Sequence, residues 1–232
     1  MERVNSLHDL TNFIVPHFVN YPLLSQKGAD FYLFKQIINL INTKVHLTAM
    51  GLQEIINIRA SMNSGLSDLQ KSKFTTYNPV PRPNFNFTEI PNPNWIAGFA
   101  SGEGCFLCTI SIAKATNNNK IGYITQLVFK ISQHSRDKKV LELISNFMNC
   151  GGIYSHSENA FVFQVTKFAD IQNKIIPIFK VHLIQGIKQL DYQDFCQIAT
   201  LISEDKHLSP KGLDGIRFIK DRMNTKRKDP KI

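Results

Sequence analysis

The spacing of hydrophobic residues predicts two helical regions with a region of strands between them. Helical spacing covers residues 9–19, 29–44 and 48–62, and then residues near 169–180, 189–204 and 209–223. Alternating apolar and polar residues predict strands over 105–114, 122–133, 152–157 and 160–167, with a helix over 136–148. We therefore expect an α+β protein in which an antiparallel sheet carries its helices on one face.

The two helical regions are copies of one another at a constant spacing of 161 residues, from about Val4 to Asn63. Five short blocks hold this register without gaps: Ile14–Phe18 matches Ile175–Phe179, Lys27 matches Lys188, Asp30–Phe31 matches Asp191–Tyr192, His46–Thr48 matches His207–Ser209, and Gly51–Leu52 matches Gly212–Leu213. Only the second copy is preceded by a block with strands, Trp95 to Lys167.

The segment Trp95–Phe106 reads W-I-A-G-F-A-S-G-E-G-C-F and joins a helix of small residues to a strand. A helix face without bulky side chains can approach a partner closer than the usual 8–10 Å or so between axes. The only acid, Glu103, ends this helix, where a carboxylate is well placed to hold a divalent metal. A buried small-residue helix that meets a strand would show the same pattern.

The nine residues Ile96 to Gly104 resemble the LAGLIDADG motif of homing endonucleases position by position, with Ser101 where the consensus has its first aspartate. The resemblance covers nearly the whole chain and is closest to single-chain, two-repeat enzymes encoded in fungal organelle introns. It implies an αββαββα half with a saddle-shaped sheet. It also implies that the first half is truncated, because its motif and strands are not in this sequence.

The resemblance divides the chain as follows: 1–65 as the helical part of a truncated first half, 66–94 as a linker, 95–225 as a complete second half, and 226–232 as a basic tail. It implies that Glu103 and the carbonyl of Gly102 bind Mg²⁺. Gln133 and Lys188 match the glutamine and lysine that organise water and phosphate in the family. The motif helix would meet its partner through Ala97, Gly98 and Ser101, with self-association as a second possibility.

One face of the predicted sheet is apolar, and the other is rich in hydroxyl, amide and lysine side chains with almost no acids. Such a face can read base edges in the major groove, whereas lysines at its margins would contact phosphates. The predicted DNA contacts are Thr109, Ser111, Lys114, Lys120, Gln126, Lys130, Ser155, Ser157, Gln164 and Thr166. For each lysine alone, an ordinary solvated charge explains the sequence equally well.

Composition supports a polyanion as partner. The net charge is +9 and no apolar run is long enough to span a membrane, although ribosomal and membrane-surface proteins are similarly basic. Many Ile, Asn, Lys and Phe residues indicate an AT-rich genome, which with the resemblance predicts an organelle-encoded, mitochondrial protein. Cys105 and Cys108 form a single CxxC motif within a predicted strand. Their spacing directs the two side chains to opposite faces of the strand, which argues against a shared zinc site.

The leading hypothesis is a site-specific DNA endonuclease that cleaves both strands of duplex DNA with Mg²⁺. A maturase of the same fold, which would bind its host intron RNA, is one alternative. An inactive remnant is a second, because the first half is truncated. An unrelated basic α/β binding protein is the third.

Overall fold

A computed structural model describes residues 3–84, 87–114, 116 and 121–227 of the chain. The chain separates into two compact units, Met1–Phe87 (unit 1) and Thr88–Ile232 (unit 2). Within the described residues, no helix combines the length and the apolar character needed to cross a membrane.

Among its described residues, unit 1 contains three helices at the positions that the apolar spacing predicts, plus one that it does not. Their bounds are α1 (Leu7–Asp9, a π-turn Leu10–Ile14, and Val15–Asn20), α2 (Gln26–Asn42), α3 (Ala49–Ala60) and α4 (Asp68–Lys73), with a 3-10 turn at Val45–Leu47. The unpredicted helix, α4, lies inside the predicted linker. It forms because Ser67 and Gln70 make a reciprocal capping box at its start.

The residues after α4 pack along α3 in an extended conformation. Gln53 Nε2 donates to Thr76 O (2.8 Å), and the amide of Val80 donates to Asn57 O (3.4 Å). The side chain of Val80 packs against the apolar cluster of Leu33, Ile58 and Met62. The first part of the predicted linker is therefore attached to unit 1, and unit 2 begins at Thr88.

Unit 2 contains a four-stranded antiparallel sheet in the order β1-β2-β4-β3. The strands are β1 (Gly104–Ile112), β2 (Tyr123–His134), β3 (Gly152–Ser157) and β4 (Ala160–Val165). The helices are α5 (Pro93–Glu103), α6 (Lys138–Met148), α7 (Phe168–Asp170, a π-turn Ile171–Ile175, and Ile176–Val181), α8 (Lys188–Ser203) and α9 (Pro210–Lys220). The predicted order of helices and strands is confirmed, with ends that differ by a few residues.

The core of unit 2 lies between the helices and one face of the sheet. Phe106 packs edge-on against Phe179, Tyr192 and Phe195, and its ring lies 5.1 Å from that of Phe129. Alternation along β1 and β2 therefore directs Phe106 and Phe129 toward the helices. The opposite face of the sheet, which we call the polar face, is left uncovered by these contacts.

The repeat in the sequence is a repeat in backbone geometry. Both units contain a π-turn followed by proline, Pro16 and Pro177, at equivalent positions. Proline has no N–H to donate, so the ladder of hydrogen bonds that would cross it is interrupted, and a π-turn accommodates the break. The caps of α3 and α9 are equivalent too, since Thr48 accepts from Gly51 N and Ser209 accepts from Gly212 N.

Gly212 is required by a close approach of backbones. A Cβ atom at this position would lie 1.9 Å from the carbonyl oxygen of Lys206, and the equivalent Gly51 has the same conflict with Val45. Gly215, on the same helix, would place its Cβ in open space. Gly51 and Gly212, which the repeat retains, therefore allow each 3-10 turn to contact the helix that follows it.

We expect Gly212→Ala to destabilise unit 2 by about 2 kcal/mol, because the backbone must move to relieve the overlap. Gly215→Ala is the matched control and should stabilise the helix by about 0.5–1 kcal/mol. Chemical denaturation of both variants measures the difference. Equal midpoints for the two variants would contradict the proposed close contact.

Candidate functional site

The motif helix α5 ends abruptly at Glu103 and passes directly into β1. Asn92 caps its start by accepting from Trp95 N (3.2 Å), and Pro93 occupies the first turn. At its other end, a Cβ on Gly104 would lie 2.6 Å from Ala100 O, so only glycine allows this junction. Glu103 is consequently held as an exposed carboxylate at the point where helix becomes strand.

The three residues predicted for the helix interface point in different directions. Gly98 is exposed, and a Cβ there or on Gly102 would meet no atom within 4 Å. Ala97 is buried within unit 2. Ser101 donates to Ala97 O (2.7 Å) and accepts from Gln185 N (2.8 Å), which ties it to the segment before α8. The open face of the helix is therefore formed by Gly98 and Gly102.

Lys188, the first residue of α8, lies against the motif. Its Nζ donates to the carbonyl oxygen of Gly102 at 2.8 Å. Partial burial lowers the pKa of this ammonium, while the charges of Cys105, Glu103 and Asp191 oppose the shift. The structure thus brings together Glu103, Gly102 and Lys188, three of the predicted site residues.

Gln133, the other predicted catalytic residue, lies near the C-terminal end of β2. It pairs with Phe161 and shares its face with Ile131, which is buried against the helices. Lys130 lies instead on the polar face, directly opposite Cys105, and its charge reaches the Cys105 thiol. Extended by the same register, the ladder places Gln133 level with Gly102 and Lys130 level with Cys105, so both lie within two positions of Glu103, and the role of Gln133 stays a prediction.

The predicted DNA-contacting residues mostly share the polar face. Thr109 pairs with Gln126, and Lys130 pairs with both Cys105 and Gln164, so these side chains form rows across the sheet. Ser111 and Ser157 lie on the same face, Thr166 directly follows β4, and Lys114 is exposed beyond β1. Lys120 lies outside the described residues.

Ser155 lies on the opposite side of the sheet from the other predicted contacts. It pairs with Phe161, and a register shift between Ser155 and Ser157 separates the two serines. The bulge inserts an extra residue, so the strict alternation that sequence reading assumes fails there. Ser155 Oγ donates to Ser157 O within the bulge.

The polar face also carries apolar side chains, which sequence reasoning missed. Tyr154 is opposite Val162 and 57% exposed, and Ile124 is opposite Ser111 and 52% exposed. Leu107 and Val128 pair on this face as well. A search for polar side chains alone does not find exposed Tyr154, although its position in the strand alternation places it on this face.

The residues at the end of the motif form part of a site that fits a metal with a preference for oxygen ligands. Among the described residues, no three His, Cys, Asp or Glu side chains are grouped closely enough to hold an ion by themselves. Glu103 supplies a carboxylate, and Gly102 O has a second lone pair beside the one that Lys188 uses. Mg²⁺ is commonly held by one or two carboxylates together with substrate phosphates and water, so these two oxygens would form one part of such a site.

A zinc site at the CxxC is not supported by the strand geometry. Cys105 is on the polar face, whereas Cys108 is 5% exposed on the core face. Burial raises the pKa of the Cys108 thiol to about 12, which opposes formation of a thiolate ligand.

Comparison with known proteins identifies the family. The sequence profile of the LAGLIDADG endonucleases matches residues 2–38 and 96–199, more than half of the chain. The chain belongs to the LAGLIDADG endonuclease family. The first matched segment covers α1 and most of α2 in unit 1, and the second covers most of α5, the sheet, α6, α7 and most of α8 in unit 2.

The LAGLIDADG fold of the chain is shown by solved structures. The homing endonuclease I-SmaMI bound to cleaved DNA is 41% identical with a TM-score of 0.91, covering 97% of this chain and 74% of that one. I-GzeII in complex with its DNA target is 42% identical with a TM-score of 0.88, covering 97% and 76%. Enzymes of this family depend on divalent metal, and I-SmaMI has been solved on uncleaved DNA with calcium ions.

Curated relatives in the LAGLIDADG family are longer than this chain. The probable intron-encoded endonuclease 3 of Neurospora crassa is 42% identical over 218 residues, which is 93% of this chain and 40% of that protein. The probable intron-encoded endonuclease 2 of the same fungus is 38% identical over 232 residues, 95% of this chain and 49% of that protein. The chain therefore spans less than half the length of these relatives.

We expect the LAGLIDADG helix to promote self-association through its open glycine face. Gly98→Glu should shift the chain toward monomer, because a charged side chain on that face prevents close approach. Gly215→Glu is the matched control, since that glycine also faces open space but lies on α9. Light scattering measures the change, and a wild-type chain that is already a monodisperse monomer would refute the expectation.

Proposed function

We propose that this chain provides one complete half of a site-specific, intron-encoded endonuclease that hydrolyses both strands of duplex DNA with Mg²⁺. The observation that carries the proposal is the arrangement at the end of α5. An exposed carboxylate on Glu103 stands beside the Lys188 ammonium, at the end of a sheet whose polar face is lined by amides, hydroxyls and Lys130.

The residues of this site have separate tasks in phosphodiester hydrolysis. When bound, the metal supplies an activated water and stabilises the departing oxygen. Glu103 holds a hard cation through its charge. Lys188, fixed on the Gly102 carbonyl, presents a positive charge to the phosphate that undergoes attack.

Two lysines in the relatives support this role for Lys188. I-SmaMI has been solved with alanine in place of either or both of two lysines, whose separation along that chain nearly equals that of Lys27 and Lys188 here. Lys27 and Lys188 are equivalent residues of the repeat and lie in the first turn of equivalent helices in their units. We infer that each lysine serves one of the two catalytic centres of a complete enzyme.

The second carboxylate of the complete site would come from a partner motif helix packed on Gly98 and Gly102. Two carboxylates at such a junction repel each other without metal, so the pair favours a cation between them. Unit 1 provides Lys27 but no motif helix within its described residues. Cleavage of both strands therefore requires a second motif helix, from another copy or another segment.

The polar face is the proposed DNA surface. A two-stranded ribbon fits the major groove, and Gln126, Lys130 and Gln164 can each reach a base edge from it. Exposed Tyr154 and Ile124 add apolar contact, for which thymine methyl groups are the natural partner. We place the protein in the mitochondrion, which is supported by relatives named for cox1 and ND4 introns.

Binding of duplex DNA should depend strongly on salt. If about six phosphates are neutralised, the logarithm of the association constant should fall with the logarithm of salt concentration with a slope of about −5. Lys114→Ser should reduce that slope by about one, because one phosphate contact is lost. A fluorescence anisotropy titration measures both, and a response that is flat with salt would remove the basic surface from the proposal.

Glu103→Gln should abolish Mg²⁺-dependent strand cleavage while DNA binding is retained. The amide keeps the size of the side chain but loses the charge that holds a hard cation. The assay pairs the chain with a second copy, or with a restored first half, and uses duplexes selected from a random library. Glu54→Gln, which removes a carboxylate outside the motif, is the matched control.

Each result of this assay points to one conclusion. Cleavage that persists in Glu103→Gln would exclude Glu103 as the metal ligand. Loss of binding as well as cleavage would indicate that Glu103 stabilises the junction of helix and strand instead.

A further inference from the structure

A partly buried arginine links the C-terminal segment of unit 2 to the helix that carries Lys188. Arg227 donates to Asp191 Oδ1 from Nε (3.0 Å) and from one terminal nitrogen (2.8 Å), which also donates to Asp194 Oδ2 (2.6 Å). Asp191 and Asp194 are 6% and 4% exposed. Arg227 therefore compensates the charge of both buried carboxylates on α8, and Arg222 provides a second cation at Asp194.

Asn224 connects the same aspartate to the strand that follows Glu103. Its backbone amide donates to Asp191 Oδ1 (2.9 Å), and its side-chain amide donates to Phe106 O (2.9 Å). Its Oδ1 is 3.4 Å from the Cys105 thiol. Asp191 is thus connected, through one residue, to β1 within three residues of Glu103.

Lys188 contacts the residue that precedes Glu103 along the chain, whereas Asn224 contacts residues that follow it. It precedes Asp191 by three residues on α8 and donates to Gly102 O. Side chains three residues apart on a helix can meet, so Asp191 is a competing partner for the Lys188 ammonium. Arg227 and Asn224 both engage Asp191 through Oδ1, and the lysine donates to the motif instead.

The same arrangement occurs in unit 1 with an arginine from an unrelated position. Asp30, the equivalent of Asp191, accepts from Asn63 N (2.8 Å) and from Arg82 (2.8 Å). Arg82 also donates to Gln26 O (3.3 Å), which is the carbonyl directly before Lys27. Arg82 follows Asn63 at a much greater distance along the chain than Arg227 follows Asn224, so the two arginines are not copies of one residue.

We propose that Arg227 is a positioning residue, which occupies Asp191 and thereby keeps Lys188 on the Gly102 carbonyl beside Glu103. In unit 1, Arg82 occupies the equivalent Asp30. The catalytic value of this positioning rests on the proposed function, but the positioning itself does not. Two arginines that reach equivalent aspartates from different segments indicate that a cation is required at this place.

The test follows the peptide group between Gly102 and Glu103 in the full chain by NMR. The backbone amide ¹⁵N shift of Glu103 reports on hydrogen bonding to Gly102 O, and Lys188→Met defines its value when the lysine is absent. Arg227→Met should move the Glu103 resonance most of the way to that value, because Lys188 turns to Asp191. Arg227→Lys, which restores a cation without the paired bonds, should give an intermediate shift.

Arg222→Met is the matched control. Arg222 bonds Asp194 but not Asp191, so its loss should leave the Glu103 resonance in place. An unmoved resonance in folded Arg227→Met would overturn the proposal, and so would equal movement in Arg222→Met. If Arg227→Met fails to fold, Arg227→Lys carries the test alone, and an unmoved resonance there has the same consequence.

Failure of the nuclease proposal would look different. In that case Glu103→Gln would leave cleavage unchanged, or no cleavage would occur with any partner half, while the Glu103 resonance still followed the Arg227 variants. The spectroscopic result thus tests the positioning without reference to DNA cleavage.

Discussion

The geometry of unit 2 depends on the contact between Gly104 and the last turn of α5. The Ala100 carbonyl lies where a Cβ of residue 104 would be, and no residue other than glycine lets the strand begin directly after the helix. Because there is no loop at this junction, Glu103 has little freedom to move relative to either element. The same junction puts Lys130, across the sheet from Cys105, close in register to the carboxylate.

The two units share one backbone arrangement but stabilise it with different side chains. In unit 1, Leu33 belongs to an apolar cluster that Val80 covers. In unit 2 the equivalent residue is Asp194, which pairs with Arg222 and Arg227. The apolar cluster stabilises unit 1 because it buries apolar surface. The buried aspartate of unit 2, in contrast, needs a cation as partner for its charge. What stays constant is the aspartate that accepts from a left-handed asparagine, Asn63 or Asn224.

Periodicity predicted the elements because each one is amphipathic, and the repeat predicted that Lys27 and Lys188 are equivalent. The motif identified Glu103, since a single acid at the end of a glycine-rich helix has few other uses. Ser155 could not be placed, because a bulge leaves no mark in strand alternation. Lys188 on Gly102 O and Arg227 on Asp191 join residues that are distant along the chain, so local pattern carries no information about them.

The helices of unit 1 present a face that in unit 2 is covered by the sheet. Phe179 and Phe195 are fully buried against Phe106, and Ile175 is fully buried as well. The equivalent residues Phe18, Phe34 and Ile14 are only partly buried. Apolar side chains are seldom kept in register over a repeat unless a contact selects them, and the contact in unit 2 is a sheet. Unit 1 therefore leaves partly exposed the apolar positions that the sheet covers in unit 2.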